Sequence, residues 1–167
     1  FDDIYFNTNG SKLTKKMSQQ LVDAGLTKIQ ISIDAFSQST YSQVRKKMLY
    51  KEVVSNVLEL VKIRNNSFSK LPLVRVSFVI NELNKHESEE FKKFWLKHVD
   101  FVAMQNLIDV NNENKPLIEN PEKIRCNMPN FRLMIKADGS VRPCCTSFGD
   151  QLNSLGNVHD EKIQDIW

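Results

Sequence analysis

The stretch KIQISID, residues 28–34, alternates apolar and polar side chains and predicts the character of the fold. In an extended strand its three isoleucines lie on one face, with Gln30, Ser32 and Asp34 on the other, because successive side chains point to opposite faces. A parallel strand covered by helices on both faces would be apolar on both. The stretch therefore predicts a strand with helices on one face and polar side chains on the other.

Two further predicted strands repeat this parity, and each collects polar side chains on one face. Those side chains are Asn7 and Asn9 in residues 4–9, and Arg75, Ser77 and Asn81 in residues 73–81. Several stand near the C-terminal strand ends, where barrel-type α/β enzymes place their sites. The alternative is that these groups bond one another inside a packed barrel. Arg75 needs an anionic partner on such a face, because an unpaired buried charge is costly.

Helices are predicted between the strands, and a fourth strand is predicted at residues 101–105. The first helix is capped by Thr14, carries Met17 and Leu21 on one face and ends at Gly25. Two more helices follow at residues 41–47 and 51–64. Strands that alternate with helices imply a parallel sheet in an α/β domain.

A fourth predicted helix, between the third and fourth strands, runs to about residue 97 and buries aromatic side chains. Asn84 and Glu87 form an N-x-x-E start, a weaker relative of the capping box. Phe91, Phe94 and Trp95 then point toward a core. No glycine-rich dinucleotide fingerprint follows the first strand.

All three cysteines lie within CNMPNFRLMIKADGSVRPCC, residues 126–145. Phe131, Leu133 and Ile135 alternate with Arg132, Met134 and Lys136 before Asp138-Gly139. This pattern predicts a hairpin with a tight two-residue turn. Pro143 ends the pairing just before Cys144. The hairpin is therefore predicted to bring Cys126 close to Cys144 and Cys145.

Three cysteines in 167 residues are an odd count, which does not suggest a disulfide framework. Two adjacent cysteines, with a third brought close to them by a hairpin, are an arrangement that suits soft-metal or iron–sulfur ligation. Reduced free thiols are the alternative. Three thiolates are one short of the usual four, so a further ligand must come from elsewhere.

Charge and hydropathy exclude several classes of function. Lys+Arg 23 against Asp+Glu 20 gives a net charge of +3, too small and dispersed to indicate nucleic acid. No apolar run approaches the roughly 18 residues of a membrane span. No secretory pattern opens the sequence, so we expect a cytoplasmic protein. A start at Phe1 directly before a strand predicts a fragment of a longer protein.

Several motifs in a fixed order resemble the radical S-adenosylmethionine (radical SAM) enzymes that carry an auxiliary iron–sulfur module of the SPASM or shorter Twitch type. In the barrel portion they are Thr8-Asn9-Gly10, Leu13-Thr14 with Leu21, Gly25-Leu26 leading to ISID with Tyr41 and Arg45, and VRV at residues 74–76 with Asn84 and Glu87. In the module they are Cys126, Gly139 and Cys144, then Leu155-Gly156-Asn157-Val158 and Ile166-Trp167.

The resemblance implies the second part of a partial (βα)6 TIM-like barrel, followed by a small cysteine-bearing β-hairpin domain. Residues 1–105 would hold strands 3 to 6, residues 106–125 a linker, and residues 126–167 the start of the auxiliary domain. The family's CxxxCxxC and its Gly-Gly-Glu stretch are absent from this sequence. Both would precede Phe1, so this segment alone is predicted to be inactive.

The resemblance also implies a reaction. The intact protein would reductively cleave S-adenosylmethionine to a 5′-deoxyadenosyl radical, which abstracts hydrogen from a peptide, sugar or other small substrate. A cellular electron donor is expected as a partner. The alternative is a non-enzymatic iron–sulfur or zinc-binding domain on an unrelated or degenerate barrel.

The same resemblance assigns candidate ligand-binding residues. Ser32 would touch the ribose or methionine moiety of S-adenosylmethionine, and Arg75 would hold the methionine carboxylate, which its guanidinium can bind bidentately. Weaker candidates for the cavity wall are Asn7, Asn9, Asp34 and Asn81. The auxiliary cluster would be held by Cys126, Cys144 and Cys145, with the [4Fe-4S] or [2Fe-2S] type left open.

Overall fold

The computed structural model describes residues 4–46, 49–107, 130, 133–143 and 154–167. The chain divides into two compact units, Phe1–Val110 and Asn111–Trp167. The predicted linker, residues 106–125, and the predicted boundary at Cys126 fall mostly outside the described residues. That three-part division stays a prediction.

The first unit alternates strands and helices around one parallel sheet. Its elements are β1 (Tyr5–Thr8), α1 (Lys15–Asp23), β2 (Lys28–Ser32), α2 (Gln38–Arg45), α3 (Tyr50–Asn66), β3 (Leu73–Ile80), a 3₁₀ turn (Lys85–Glu87), α4 (Ser88–Trp95) and β4 (Phe101–Asn106). The four strands lie in the order β1-β2-β3-β4 and every neighbouring pair is parallel. The predicted α/β class with a parallel sheet is confirmed.

The register of the sheet confirms the predicted parity. Ile31 is paired with Val76, and both side chains are fully buried on the helix-covered face. Gln30 is paired with Arg75 on the opposite face, which we call the open face. Because paired residues of parallel strands share a face, the polar positions of the strands line up across the sheet.

Helices α3 and α4 supply much of the core on the covered face. Both Phe91 and Trp95 are fully buried, as predicted, with ring centroids 6.1 Å apart. Met17, predicted to share the apolar face of α1 with Leu21, is 42% exposed. The fully buried side chain of α1 is Ser18. A small side chain suits this position because α1 packs closely against α3.

Of the two helix caps predicted from the sequence, one is confirmed and one is wrong. The Thr14 hydroxyl accepts from the Met17 N–H at 3.3 Å, and Gly25 follows α1 with φ +73°. The predicted N-x-x-E cap does not form, because neither Asn84 nor Glu87 makes a side-chain capping bond. Their polar atoms bind backbone and side chains beyond their own helix.

The second unit contains a small antiparallel sheet and a short helix within its described residues. Its elements are β5 (Met134–Ile135), β6 (Ser140–Arg142), β7 (Gly156–Asn157) and α5 (Ile163–Ile166). The strand order is β5-β6-β7. The predicted hairpin is confirmed, since Ile135 pairs with Val141.

The turn of this hairpin differs from the predicted two-residue form. Lys136 pairs with Ser140, and the Gly139 N–H donates to the Lys136 carbonyl at 3.0 Å. Three residues therefore form the loop, with Gly139 at φ +81°. A three-residue loop closed by a glycine with positive φ is a common hairpin connection. The Asp138 carboxylate supports it by accepting from the Ser140 N–H at 3.0 Å.

Two glycines of this unit lie where a larger side chain would not fit. A Cβ on Gly139 would stand 2.5 Å from Asn157 Oδ1, and one on Gly156 would stand 2.9 Å from Ile166 Cγ1. Gly156 thus lets α5 approach β7. The contact joins two parts of the SPASM-like motif, Gly156 and Ile166.

No helix in the described part of the chain is long and apolar enough to cross a bilayer.

Candidate functional site

The open face of the four-stranded sheet carries its polar side chains in rows. One row crosses all four strands as Asn7, Gln30, Arg75 and Phe101. The next row contains Ser32, Ser77 and Ala103. Rows on one face are two residues apart, which is roughly 6.6 Å along a strand. The Ser77 hydroxyl donates to the Ser32 hydroxyl at 3.3 Å.

A cleft of about 570 Å³ lies against the first of these rows. Its wall includes both aromatic and polar side chains, namely Tyr5, Asn7, Gln30, Arg75 and Phe101. It lies over the N-terminal halves of the strands, and Ser32, Asn9, Asp34 and Asn81 are not part of its wall. The structure therefore separates Arg75 by one row from Ser32.

Arg75 is exposed on the open face and makes no ion pair within the described residues. Asp34, the candidate partner for a structural ion pair, is bound elsewhere. One of its carboxylate oxygens pairs with Arg45 of α2, and the other accepts from the Val79 N–H at 2.7 Å. The Arg75 guanidinium thus stays available for an anionic ligand within this part of the structure.

Asn9 and Asn81 use their side chains in local turns. The Asn9 side-chain oxygen accepts from the Ser11 N–H at 3.0 Å and from its hydroxyl at 2.8 Å. The Asn81 side-chain oxygen accepts from the Leu83 N–H at 2.9 Å. Both stand just beyond the C-terminal ends of their strands, and their assignment as ligand contacts stays a prediction.

A buried polar cluster, which the sequence did not predict, lies beyond the C-terminal ends of β2 and β3. Glu87 is 6% exposed and its carboxylate accepts four hydrogen bonds. The donors are the Phe36 N–H at 2.6 Å, the Ser37 N–H at 3.3 Å, the Ser37 hydroxyl and the Thr40 hydroxyl at 2.7 Å. Through these hydrogen bonds, Glu87 stabilises the connection between β2 and α2.

Asn84 performs a similar task for the ends of the strands. It is fully buried; its side-chain NH₂ donates to the carbonyls of Asp34 at 3.0 Å and Val79 at 2.8 Å. Its side-chain oxygen accepts from the Asn81 N–H at 2.7 Å. We call Asp34, Arg45, Asn84 and Glu87 the strand-end cluster.

The electrostatics of the cluster keep Glu87 ionised. Burial raises its pKa, but the hydrogen bonds from Ser37, Phe36 and Thr40 outweigh burial and hold the pKa below its ordinary value. This ionised carboxylate stabilises the fold above the unfolded pKa, and that stabilisation is lost as pH falls through the folded pKa. Burial first, and then the charge of Glu87, raises the pKa of Tyr50 to about 12, so Tyr50 stays neutral.

The candidate cluster ligands Cys126, Cys144 and Cys145 lie outside the described residues. In that unit, the described stretch that contains the hairpin of β5 and β6 ends at Pro143, directly before Cys144 in the sequence. Among the described residues, no group of three His, Cys, Asp or Glu side chains could hold a metal ion. The predicted proximity of the three thiols stays a prediction.

Comparison with protein families identifies the C-terminal segment. Residues 126–167 match the family described as "SPASM: Iron-sulfur cluster-binding domain". This segment is similar to a SPASM domain. Its match begins at Cys126 and takes in both later cysteines, together with the hairpin, Gly139, Gly156 and the final tryptophan.

A curated relative extends the similarity to nearly the whole chain. The chain is similar to a tungsten-containing aldehyde ferredoxin oxidoreductase cofactor-modifying protein of Pyrococcus furiosus, with 23% identity over 205 residues. The match covers 96% of this chain and 58% of the relative. The resemblance to SPASM-bearing radical SAM proteins, predicted from the motifs, is confirmed by the two matches together.

The donor chemistry of the chain fits the group that a SPASM domain binds. Three cysteines are the soft ligands that iron–sulfur clusters require, and they are all the cysteines that the sequence contains. The family description names iron–sulfur and not zinc. This favours the iron–sulfur interpretation over the zinc alternative.

Proposed function

We propose that the intact protein is a radical SAM enzyme, in which this chain supplies the second part of a partial (βα)6 barrel and the start of an auxiliary iron–sulfur domain. The observation that carries the proposal is that residues 126–167 match the SPASM family and come after a parallel βα unit in the sequence. The one-sided polar face supports it, because a sheet that only separated two helix layers would be apolar there.

The proposed reaction is the one-electron reductive cleavage of S-adenosylmethionine. A low-potential cellular electron donor would supply the electron through a [4Fe-4S] cluster, whose CxxxCxxC ligands this sequence does not contain. The electron enters the sulfonium and the C5′–S bond breaks, which yields methionine and a 5′-deoxyadenosyl radical. That radical takes a hydrogen atom from a peptide, sugar or other small substrate and becomes 5′-deoxyadenosine.

Ser32 and Arg75 are the residues that we propose for binding S-adenosylmethionine. Ser32 ends β2 on the open face, beside Ser77. Arg75 lies one row below it, exposed and without an ion pair among the described residues. An arginine fork matches a carboxylate in two parallel hydrogen bonds. Asn9, Asp34 and Asn81 are proposed to shape the rim near the strand ends.

In the SPASM domain we propose that Cys126, Cys144 and Cys145 hold the auxiliary cluster. When bound, such a cluster can accept an electron or anchor a substrate. Two adjacent cysteines do not easily reach one iron, so Cys145 is the weakest of the three assignments. The described hairpin of β5 and β6 ends at Arg142, two residues before Cys144 in the sequence.

The expected partners are a small-molecule or peptide substrate and the electron donor. The dispersed net charge of +3 offers no concentrated patch for nucleic acid. We propose that the protein acts in the cytoplasm, where thiols stay reduced.

Product analysis tests the proposed reaction. The intact protein, reconstituted anaerobically with iron and sulfide, reduced with dithionite and given S-adenosylmethionine, is expected to form 5′-deoxyadenosine. Residues 1–167 treated in the same way should form none above background, because the sequence contains no CxxxCxxC. An inactive intact protein, or product from residues 1–167, would contradict the proposal.

A further inference from the structure

Strand β2 ends at Ser32. Beyond that point, the Asp34 side chain takes the place of the β2 backbone as a hydrogen-bond partner of β3. The Ser77 carbonyl accepts from the N–H groups of both Ile33, at 3.1 Å, and Asp34, at 3.4 Å. The Val79 N–H of β3 then donates to the Asp34 carboxylate. A side chain thus continues the ladder that the strand has left.

This replacement requires an unfavourable backbone conformation at Asp34. Its φ is +59°, in the left-handed region, which is unfavourable for a residue with a Cβ. Such a conformation persists only where surrounding contacts hold it, and it is often found at ligand sites. Asp34 is 6% exposed and lies two residues beyond the proposed ligand contact Ser32.

The contacts that hold Asp34 and the three residues after it come from the strand-end cluster. Arg45 binds the Asp34 side chain and Asn84 binds its carbonyl. Glu87 binds the N–H groups of Phe36 and Ser37. Residues 34–37 are therefore held at the carbonyl, the side chain and the N–H groups.

Asn84 and Glu87 use their side chains for these contacts instead of capping a helix. Asn84 and Glu87 stand at the start of the turn that leads into α4, yet they cap neither helix. Burying an ionised carboxylate is costly unless it is fully hydrogen-bonded. Here all four of its bonds go to residues 36, 37 and 40.

We propose that Asn84 and Glu87 are positioning residues for the S-adenosylmethionine site. By fixing residues 34–37 they hold Asp34 in its left-handed conformation, and this sets where β2 ends and where the Ser32 hydroxyl stands on the open face. Neither residue touches the ligand. The inference rests on the proposed function and deepens it, because it names the residues that hold the site in shape.

Three variants of the intact reconstituted protein separate positioning from general stability. Glu87→Ala removes the acceptor of two N–H groups and two hydroxyls. Glu87→Gln keeps a carbonyl for the N–H groups of Phe36 and Ser37, and its NH₂ can donate to the hydroxyls. Val57→Ala is the control, since Val57 is fully buried on α3 and belongs to none of these hydrogen bonds.

The readouts are the Kd for S-adenosylmethionine, by calorimetry where each variant is folded, and amide hydrogen exchange at Phe36 and Ser37. We expect Glu87→Ala to weaken binding on the order of tenfold or more and to speed exchange at both amides, since small misplacements of binding groups have large effects. Glu87→Gln should restore most of the affinity, and Val57→Ala should leave it unchanged.

Unchanged affinity in Glu87→Ala, or an equal loss in Val57→Ala, would overturn the positioning role. A wild-type protein that fails to bind S-adenosylmethionine would instead overturn the proposed function. The two failures are therefore distinguishable by the wild-type isotherm.

Discussion

Replacing Asp100 with alanine is expected to lower the free energy of unfolding by roughly 3 kcal/mol, the lower end of the cost of breaking a buried ion pair, because the Asp100 side chain is itself 27% exposed. Asp100 pairs with Arg64, whose side chain is 8% exposed, and also accepts from the Val74 N–H at 2.7 Å. The substitution leaves the Arg64 guanidinium buried, and its remaining partners among the described residues are the Pro72 carbonyl and the Asn65 side chain.

Glu82→Ala is the matched control for this prediction. Glu82 also forms an ion pair, with Lys85, but its side chain is 87% exposed. Exposed pairs contribute about 0–1 kcal/mol. Urea denaturation of the intact protein with each substitution gives the comparison, and equal losses in the two variants would show that the Arg64–Asp100 pair is not structural.

Arg75→Ala is expected to weaken S-adenosylmethionine binding by about 1.5–3 kcal/mol, the contribution of a charge-assisted hydrogen bond. The melting temperature without ligand should stay nearly unchanged, because Arg75 is exposed and has no ion pair among the described residues. Arg75→Lys keeps the charge without the bidentate geometry and should give an intermediate affinity.

The paired measurement is a binding isotherm and an apo melting curve for each Arg75 variant in the intact protein. Lys85→Ala, which removes a cation that is 59% exposed, should change neither. A large fall in melting temperature with unchanged affinity would assign Arg75 a structural role. Its partner would then have to lie outside the described residues, since Asp34 is bound by Arg45.

Features that depend on neighbouring residues could be predicted from the sequence. The period of two in residues 28–34 predicted which side chains of β2 are buried, because burial of a strand follows its pleat. Thr14 and Gly25 predicted the ends of α1 for the same reason, since a cap is a contact over three or four residues. The hairpin at Asp138-Gly139 was also predictable, although its loop has three residues.

The strand-end cluster could not be predicted because its contacts join distant residues. Glu87 binds Phe36 across 51 positions, and Asn84 binds Asp34 across 50. The N-x-x-E pattern indicated a local cap, but the side-chain atoms of Asn84 and Glu87 form tertiary hydrogen bonds instead. The available signal was Asp34 itself, a polar residue at the end of a strand whose carboxylate needs partners once it is buried.

The position of the cleft was unpredictable for a different reason. Strand parity predicts the face on which Arg75 stands, but the row depends on the register between strands, which parity does not contain. The pairing of Arg75 with Gln30 and Phe101 places it one row below Ser32. This is why the separation along the sheet of the two proposed ligand contacts, predicted to lie in one cavity, could not be predicted.

Iron content of the intact protein with and without the SPASM cysteines tests whether these thiols hold the auxiliary cluster. Wild type, Cys126→Ser and Cys144→Ser are reconstituted in parallel, and iron and acid-labile sulfide are measured per chain. Each substitution is expected to remove about one cluster's iron and to leave the spectrum of the other cluster intact, because thiolates are the cluster's ligands. Equal iron in wild type and Cys144→Ser would contradict the account.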